Sequence, residues 1–177
     1  MLRGILTTLA LFFIVSFVGF GATLFVLFKY GQSLPDYRQL ADYEPPVMTR
    51  VHAGDGRLLA EFADEKRLFI PIKAMPRKLI HAFLGAEDKN FYTHPGIDFK
   101  SIARATLTNI KNIGSSRRLV GASTITQQVA KNFLLTSEVS WTRKIKEAIL
   151  AFRIEQAIHK DRILELYLNQ IYLGFGS

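Results

Sequence analysis

Hydrophobic and polar positions divide the chain into three stretches. Residues Gly4 to Phe28 carry no charge and are mostly Leu, Phe, Val, Ile, Ala and Thr. At about 1.5 Å per residue, a helix of that length exceeds the roughly 30 Å hydrocarbon core of a bilayer. A cleaved signal peptide would have an apolar core of about 7–15 residues and a small-residue cleavage site. This run is longer, and Phe25 to Tyr30 offers no such site, so an uncleaved anchor is predicted over residues 1–30. Residues 31–75 are polar and proline-punctuated. Gly31 to Pro46 reads as a stalk. Val47 to Ala53 and Arg57 to Phe62 read as short strands about a Gly54-Asp55-Gly56 turn, with Leu68 to Ile72 as a third. From 76 to 177 the pattern is helical.

The first helix of that last stretch follows Pro76, a residue tolerated at a helix start, and its Leu79–Ile80–Phe83 stripe runs to Glu87. His94-Pro95-Gly96 breaks it. Asp98 is placed to cap a helix from Phe99 to Lys111. Asn112 to Val120, with Gly, two Ser and two Arg, reads as a mobile loop. Ser140 and Asp161 are placed to cap two further helices, Trp141 to about His159 and one ending near Gly174. Between them lies Gly121 to Asn132. At 100° per residue, Thr124, Gln127, Gln128 and Lys131 share one face, while Ile125, Val129 and Phe133 fall away from it. Thr124 with Gln127 forms a capping-box pattern. Ser123, these hydroxyls and amides, and one ammonium at a helix N-terminus suit an anionic, oxygen-rich ligand such as a phosphate-bearing sugar. An amphipathic helix with a solvated polar face accounts for the same spacing.

Charge sharpens this picture. The net charge is +8. Between Lys100 and Lys160 stand eleven Lys or Arg and three acidic residues, and the rest of the chain balances. A basic segment attracts nucleic acid, an anionic membrane surface or a phosphorylated substrate. The anchor and the lack of an extended aromatic pattern argue against nucleic acid. There are no cysteines, which excludes disulfides, thiolate chemistry and Cys-based zinc sites.

Two carboxylates carry candidate chemistry. Glu87 continues the Ile80–Phe83 face, so partial burial is predicted; burial would raise its pKa toward a range useful for proton transfer. An ordinary helix-end glutamate is the alternative. Glu147 follows Arg143 by four residues, which brings the side chains together. That pair is either a surface ion pair worth about 0.3–0.5 kcal/mol or, since both faces of its helix are partly apolar, a group held between packed layers. His94 beside Pro95-Gly96 is either a structural turn histidine or a ligand. Asp88, Glu147 and Glu165 could hold Mg²⁺, although no spacing singles out a metal site.

Four segments in order carry a family resemblance: Glu87 to Asp98, Gly121 to Asn132, Arg143 to Ala148, and Lys160 to Gly174. Together they resemble the peptidoglycan glycosyltransferase domain of class A penicillin-binding proteins, over residues 45 to 177 and in the anchor topology. Pro45 to Val51 resembles the 1A-type members. The resemblance implies a mainly α, lysozyme-like glycosyltransferase domain at 76–177, lacking the family's fifth signature and last helices. It is preceded by one transmembrane helix and a short β segment at 31–75. It implies an inverting transfer that polymerises lipid II into β-1,4 glycan with release of lipid pyrophosphate. Glu87 would be the general base. Glu147 would assist departure of the pyrophosphate, directly or through Mg²⁺ or Mn²⁺, with no organic cofactor. Lys131, Arg143 and Lys144 would stabilise the leaving charge, and Asp88, His94, Ser123, Thr124, Gln127 and Gln128 would contact substrate. The N-terminus would lie in the cytoplasm, the domain outside the plasma membrane, and a transpeptidase domain is expected downstream; the hairpin, marginal alone, would pair with something outside this chain. The truncated chain alone is expected to be inactive. A lysozyme-like muramidase and an inactive membrane scaffold are the competing readings; the basic set argues against the first, because a hydrolase has no pyrophosphate to bind.

Overall fold

The computed structural model describes residues 2–43, 49–62, 69–115, 117–136 and 140–171. Helix α1 runs Leu2–Gly31, and its stretch Leu6–Gly31 is long and apolar enough to cross a membrane, with none of it buried in the protein. Strands β1 (Thr49–His52) and β2 (Leu58–Phe62) form an antiparallel hairpin, with Thr49 opposite Phe62 and an irregularity between Val51 and His52. The third strand expected at Leu68 to Ile72 is not formed: among the described residues the sheet has two strands, and Ile72–Ala74 is a 3₁₀ turn. Backbone groups of that segment bond to side chains instead of a neighbouring strand. Asn169 accepts from Ile70 N and donates to Ile70 O, both at 2.9 Å, and Glu165 accepts from Ile72 N at 2.7 Å. Residues 44–48, Leu68 and the Tyr172–Gly174 end of the fourth signature lie outside the described residues.

The helices that follow are α2 (Arg77–Glu87), α3 (Phe99–Lys111), α4 (Ile125–Leu134), α5 (Trp141–Ala157) and α6 (Lys160–Gln170). Pro76 serves as N-cap of α2, not as its first residue. Asp98 and Ser140 cap α3 and α5 through the amides of Ser101 and Arg143. The cap of α6 is His159; Asp161 lies in the first turn, where its carboxylate accepts from the Tyr92 hydroxyl at 3.0 Å. Burial, followed by that bond to Asp161, pushes the Tyr92 pKa up to about 12.

The core is made by α4, α5 and α6, whose Ile125, Val129, Leu150, Ile154, Ile163 and Leu164 are buried together with Phe91 and Leu40. Each such side chain contributes roughly 1.5–3 kcal/mol by leaving water. Helix α5 also meets the end of α1. Helix α3 is different. Ala105 is its one buried residue, while Phe99 is 71% and Ile110 57% exposed.

Candidate active site

The turn after α2 is tied to the start of α4 by buried polar bonds. Gly96 N donates to His94 Nδ1 at 3.2 Å, which leaves the proton on Nε2, 3.0 Å from both Asp88 oxygens. Asp88 also accepts from Ile125 N at 3.1 Å, satisfying a free amide of α4. Thr124 donates its hydroxyl to Gly96 O at 2.6 Å and accepts from Gln127 N at 3.2 Å, while Gln127 Oε1 accepts from Thr124 N at 3.0 Å. The capping box is therefore real, and both its side chains are buried. Gly96 has φ +92°, and a Cβ there would lie 2.6 Å from Ala151 O. Only glycine lets this turn pack directly on the α5 backbone.

This geometry corrects the reading of the α4 polar face as a single ligand-facing surface. Thr124 Oγ1 and Gln127 Oε1 are engaged in the cap and its tie to Gly96. Asp88 and His94 hold the turn. Gln128 alone of this face reaches toward chemistry: its Nε2 donates to Glu87 Oε2 at 2.9 Å. Lys131 is exposed on the last turn of α4, outside the bonded set.

Glu87 itself is exposed, contrary to the burial predicted from its stripe. Helix α2 has no buried residue, so its apolar side covers the domain without being covered. Glu87 lines a cleft of about 190 Å³ between the end of α2, α3 and residues 120–124. Ser123 lines the same cleft, and its Oγ accepts from Lys144 Nζ at 2.8 Å. The Lys144 ammonium also lies 2.6 Å from Glu147. Glu147 is 2% exposed and has Arg143 Nε 3.0 Å from its other oxygen, in a geometry off the line of a hydrogen bond. The placement between packed layers predicted for Glu147 is thus observed. Ser123, Lys144, Glu147 and Arg143 form one connected group beside the Glu87 cleft.

One feature escaped sequence reasoning. Lys160 donates to His94 O at 2.9 Å and to Glu155 at 2.8 Å, and its ammonium stands 4.3 Å from the Phe91 ring centre. Glu155 in turn accepts from Thr126. The signal was weak, because Glu155 and Lys160 look like an ordinary solvated pair. Tyr167 is fully buried with a hydroxyl that has no hydrogen-bond partner among the described residues. Burial, and then the charge of Glu87, pushes its pKa up to about 12. Its ring meets Phe83, one turn before Glu87, edge-on.

The donor set does not fit a divalent metal. Asp88 is engaged with His94 and Ile125, Glu165 with Ile72 and Arg162, and Glu147 faces two cations. Among the described residues no three acidic or histidine side chains converge.

Comparison with known proteins decides the family. The Transglycosylase family profile matches residues 55–177. The chain belongs to the transglycosylase family. It is 52% identical over its whole length to penicillin-binding protein 1A of Rickettsia conorii and 43% identical, over 98% of its length, to penicillin-binding protein 1A of Neisseria gonorrhoeae. It spans 22% of the length of each. Transglycosylase membership favours group transfer over the muramidase and scaffold readings.

Proposed function

We propose that this chain is the membrane-anchored glycosyl-transfer portion of a penicillin-binding protein 1A, acting on lipid II and a growing lipid-linked glycan. The observation that carries the reading is the junction of two groups in one place. An open carboxylate, Glu87, bonded to Gln128, lines a cleft together with Ser123, whose Oγ accepts from Lys144, itself paired with the buried Glu147. Glu87 takes the proton of the acceptor's 4-hydroxyl. The freed oxygen attacks the anomeric carbon of the donor, the bond to the pyrophosphate oxygen breaks with its electron pair, and configuration inverts. Lys144 and Arg143 face the departing charge, with Lys131 at the outer edge. Glu147 acts through these cations: its carboxylate fixes the two heads, so it is a positioning residue and no step is routed through a metal. An anchor in α1 would hold this cleft beside the bilayer from which both lipid-linked substrates come, and we assign the N-terminus to the cytoplasmic side. The greater length of the relatives fits a downstream domain, which we assign to transpeptidation.

The test is Glu87→Gln in a full-length version, assayed for polymerisation of lipid II. The expected loss is about a hundredfold or more, with unchanged circular dichroism and membrane insertion. Polymerisation within about tenfold of wild type would remove Glu87 from the role of base.

A further inference from the structure

A second cavity, about 490 Å³, lies between the anchor and the domain and shares only Arg143 with the proposed transfer. Its walls are residues 32–35 leaving α1, residues 134–136 at the end of α4, and Ser140, Thr142, Arg143 and Lys146 at the start of α5. Its depth is set by the anchor. Gln32 directly follows Gly31, the last residue of the apolar span, so the cavity opens where hydrocarbon gives way to lipid headgroups.

Its chemistry is that of a phosphate site. Among the described residues the lining has two cations, several hydroxyls and the positive end of α5, and no carboxylate. Leu34, Leu134 and Leu135 add an apolar wall. Lys146 is half-buried and has no hydrogen-bond or ion-pair partner among the described residues. Arg153 follows seven residues later on the same stripe of α5. Its Nη2 lies 3.2 Å from where a Cβ on Gly31 would stand, so the stripe runs up to the anchor's exit. Lys146 and Lys144 point about 160° apart around α5. The cavity is therefore a separate place from the Ser123–Lys144–Glu147 group, with Arg143 at the boundary.

We propose that this cavity seats the phosphate of an anionic phospholipid from the surrounding bilayer, with Lys146 as its main counter-charge and the leucines against its glycerol and upper acyl carbons. The bound lipid fixes the height of the domain over the membrane.

The experiment uses the full chain in detergent, given equal amounts of phosphatidylglycerol and phosphatidylcholine, with retained lipid read by native mass spectrometry. Phosphatidylglycerol should be retained in preference, and excess inorganic phosphate should not displace it. Lys146→Ala should lower its retention about fivefold, Lys146→Arg should preserve it, and Lys144→Ala should leave it unchanged. Circular dichroism checks that each variant is folded. Equal retention of the two lipids overturns the proposal, as does an unchanged Lys146→Ala. An equal loss in Lys144→Ala would reduce the effect to general charge, and displacement by phosphate would make the ligand a free anion; either result also overturns it. The readout is independent of polymerisation, so its failure leaves the proposed transfer standing.

Discussion

The two carboxylates of the site sit in opposite surroundings. Glu87 ends a helix with no fully buried residue and has one neutral amide on its carboxylate. Glu147 lies in the middle of a core helix with a lysine and an arginine on its two oxygens. An exposed carboxylate with one light restraint is free to meet a substrate hydroxyl and exchange a proton. A buried one clamped by two cations is costly to disturb and suited to fixing positive charge in place. The difference separates the group that reacts from the group that organises.

Each prediction tests that separation. The largest effect is expected on chemistry alone: Glu87→Gln should cost on the order of 3 kcal/mol or more of transition-state stabilisation, read from kcat/KM, with little change in Tm. Glu147→Ala should do the reverse first. Leaving Arg143 and Lys144 without their carboxylate should destabilise the fold by on the order of 3 kcal/mol, less whatever the half-exposed Lys144 recovers from water, as read by denaturant unfolding. A Glu147→Ala protein as stable as wild type, inactive only in chemistry, would give Glu147 a direct catalytic role.

How much of this was legible in the sequence depended on whether the answer was local. Helix α3 with its Asp98 cap, the Ser140 cap and the Thr124–Gln127 box all rest on neighbours within a few residues, and all are present. The exposure of Glu87 was not legible. A stripe on α2 says which way residues point, not whether another layer covers them. The α4 polar face was misread for the same reason: its wheel gave a common direction for Thr124, Gln127 and Gln128. The Gly96 turn, 28 residues earlier in the chain, occupies the space opposite the first of them. The strand expected at Leu68 to Ile72 failed because Asn169 and Glu165, about a hundred residues later, supply its hydrogen bonds.

Smaller effects probe the frame that keeps the two carboxylates in register. Gly96→Ala meets both a left-handed φ and the Ala151 carbonyl, and should cost on the order of 2 kcal/mol by thermal unfolding. Asp98→Ala removes the α3 cap and should cost about 1 kcal/mol. Bonds from Ser101, then from Asn90, hold the Asp98 pKa well below the usual carboxylate range. The folded value being the lower one, this stabilisation is complete above an unfolded pKa of about 4 and is lost as pH falls through the folded value. Acid titration of Asp98→Ala should therefore be flatter below about pH 4 than that of wild type. Tyr167→Phe, which deletes a buried hydroxyl without a partner among the described residues, should change stability by less than about 1 kcal/mol or raise it. A larger loss would reveal a bond from Tyr167 toward Glu87.

The Asn169–Ile70 pair and the Glu165–Ile72 bond also have a mechanical consequence. Along the chain they stand between the β-hairpin and α2. A pull on the hairpin is therefore taken up first by α6, one of the three core helices, before any of it reaches the helix that ends in Glu87. The segment works as a strain relief, isolating the reactive end of α2 from forces that arrive through the strands.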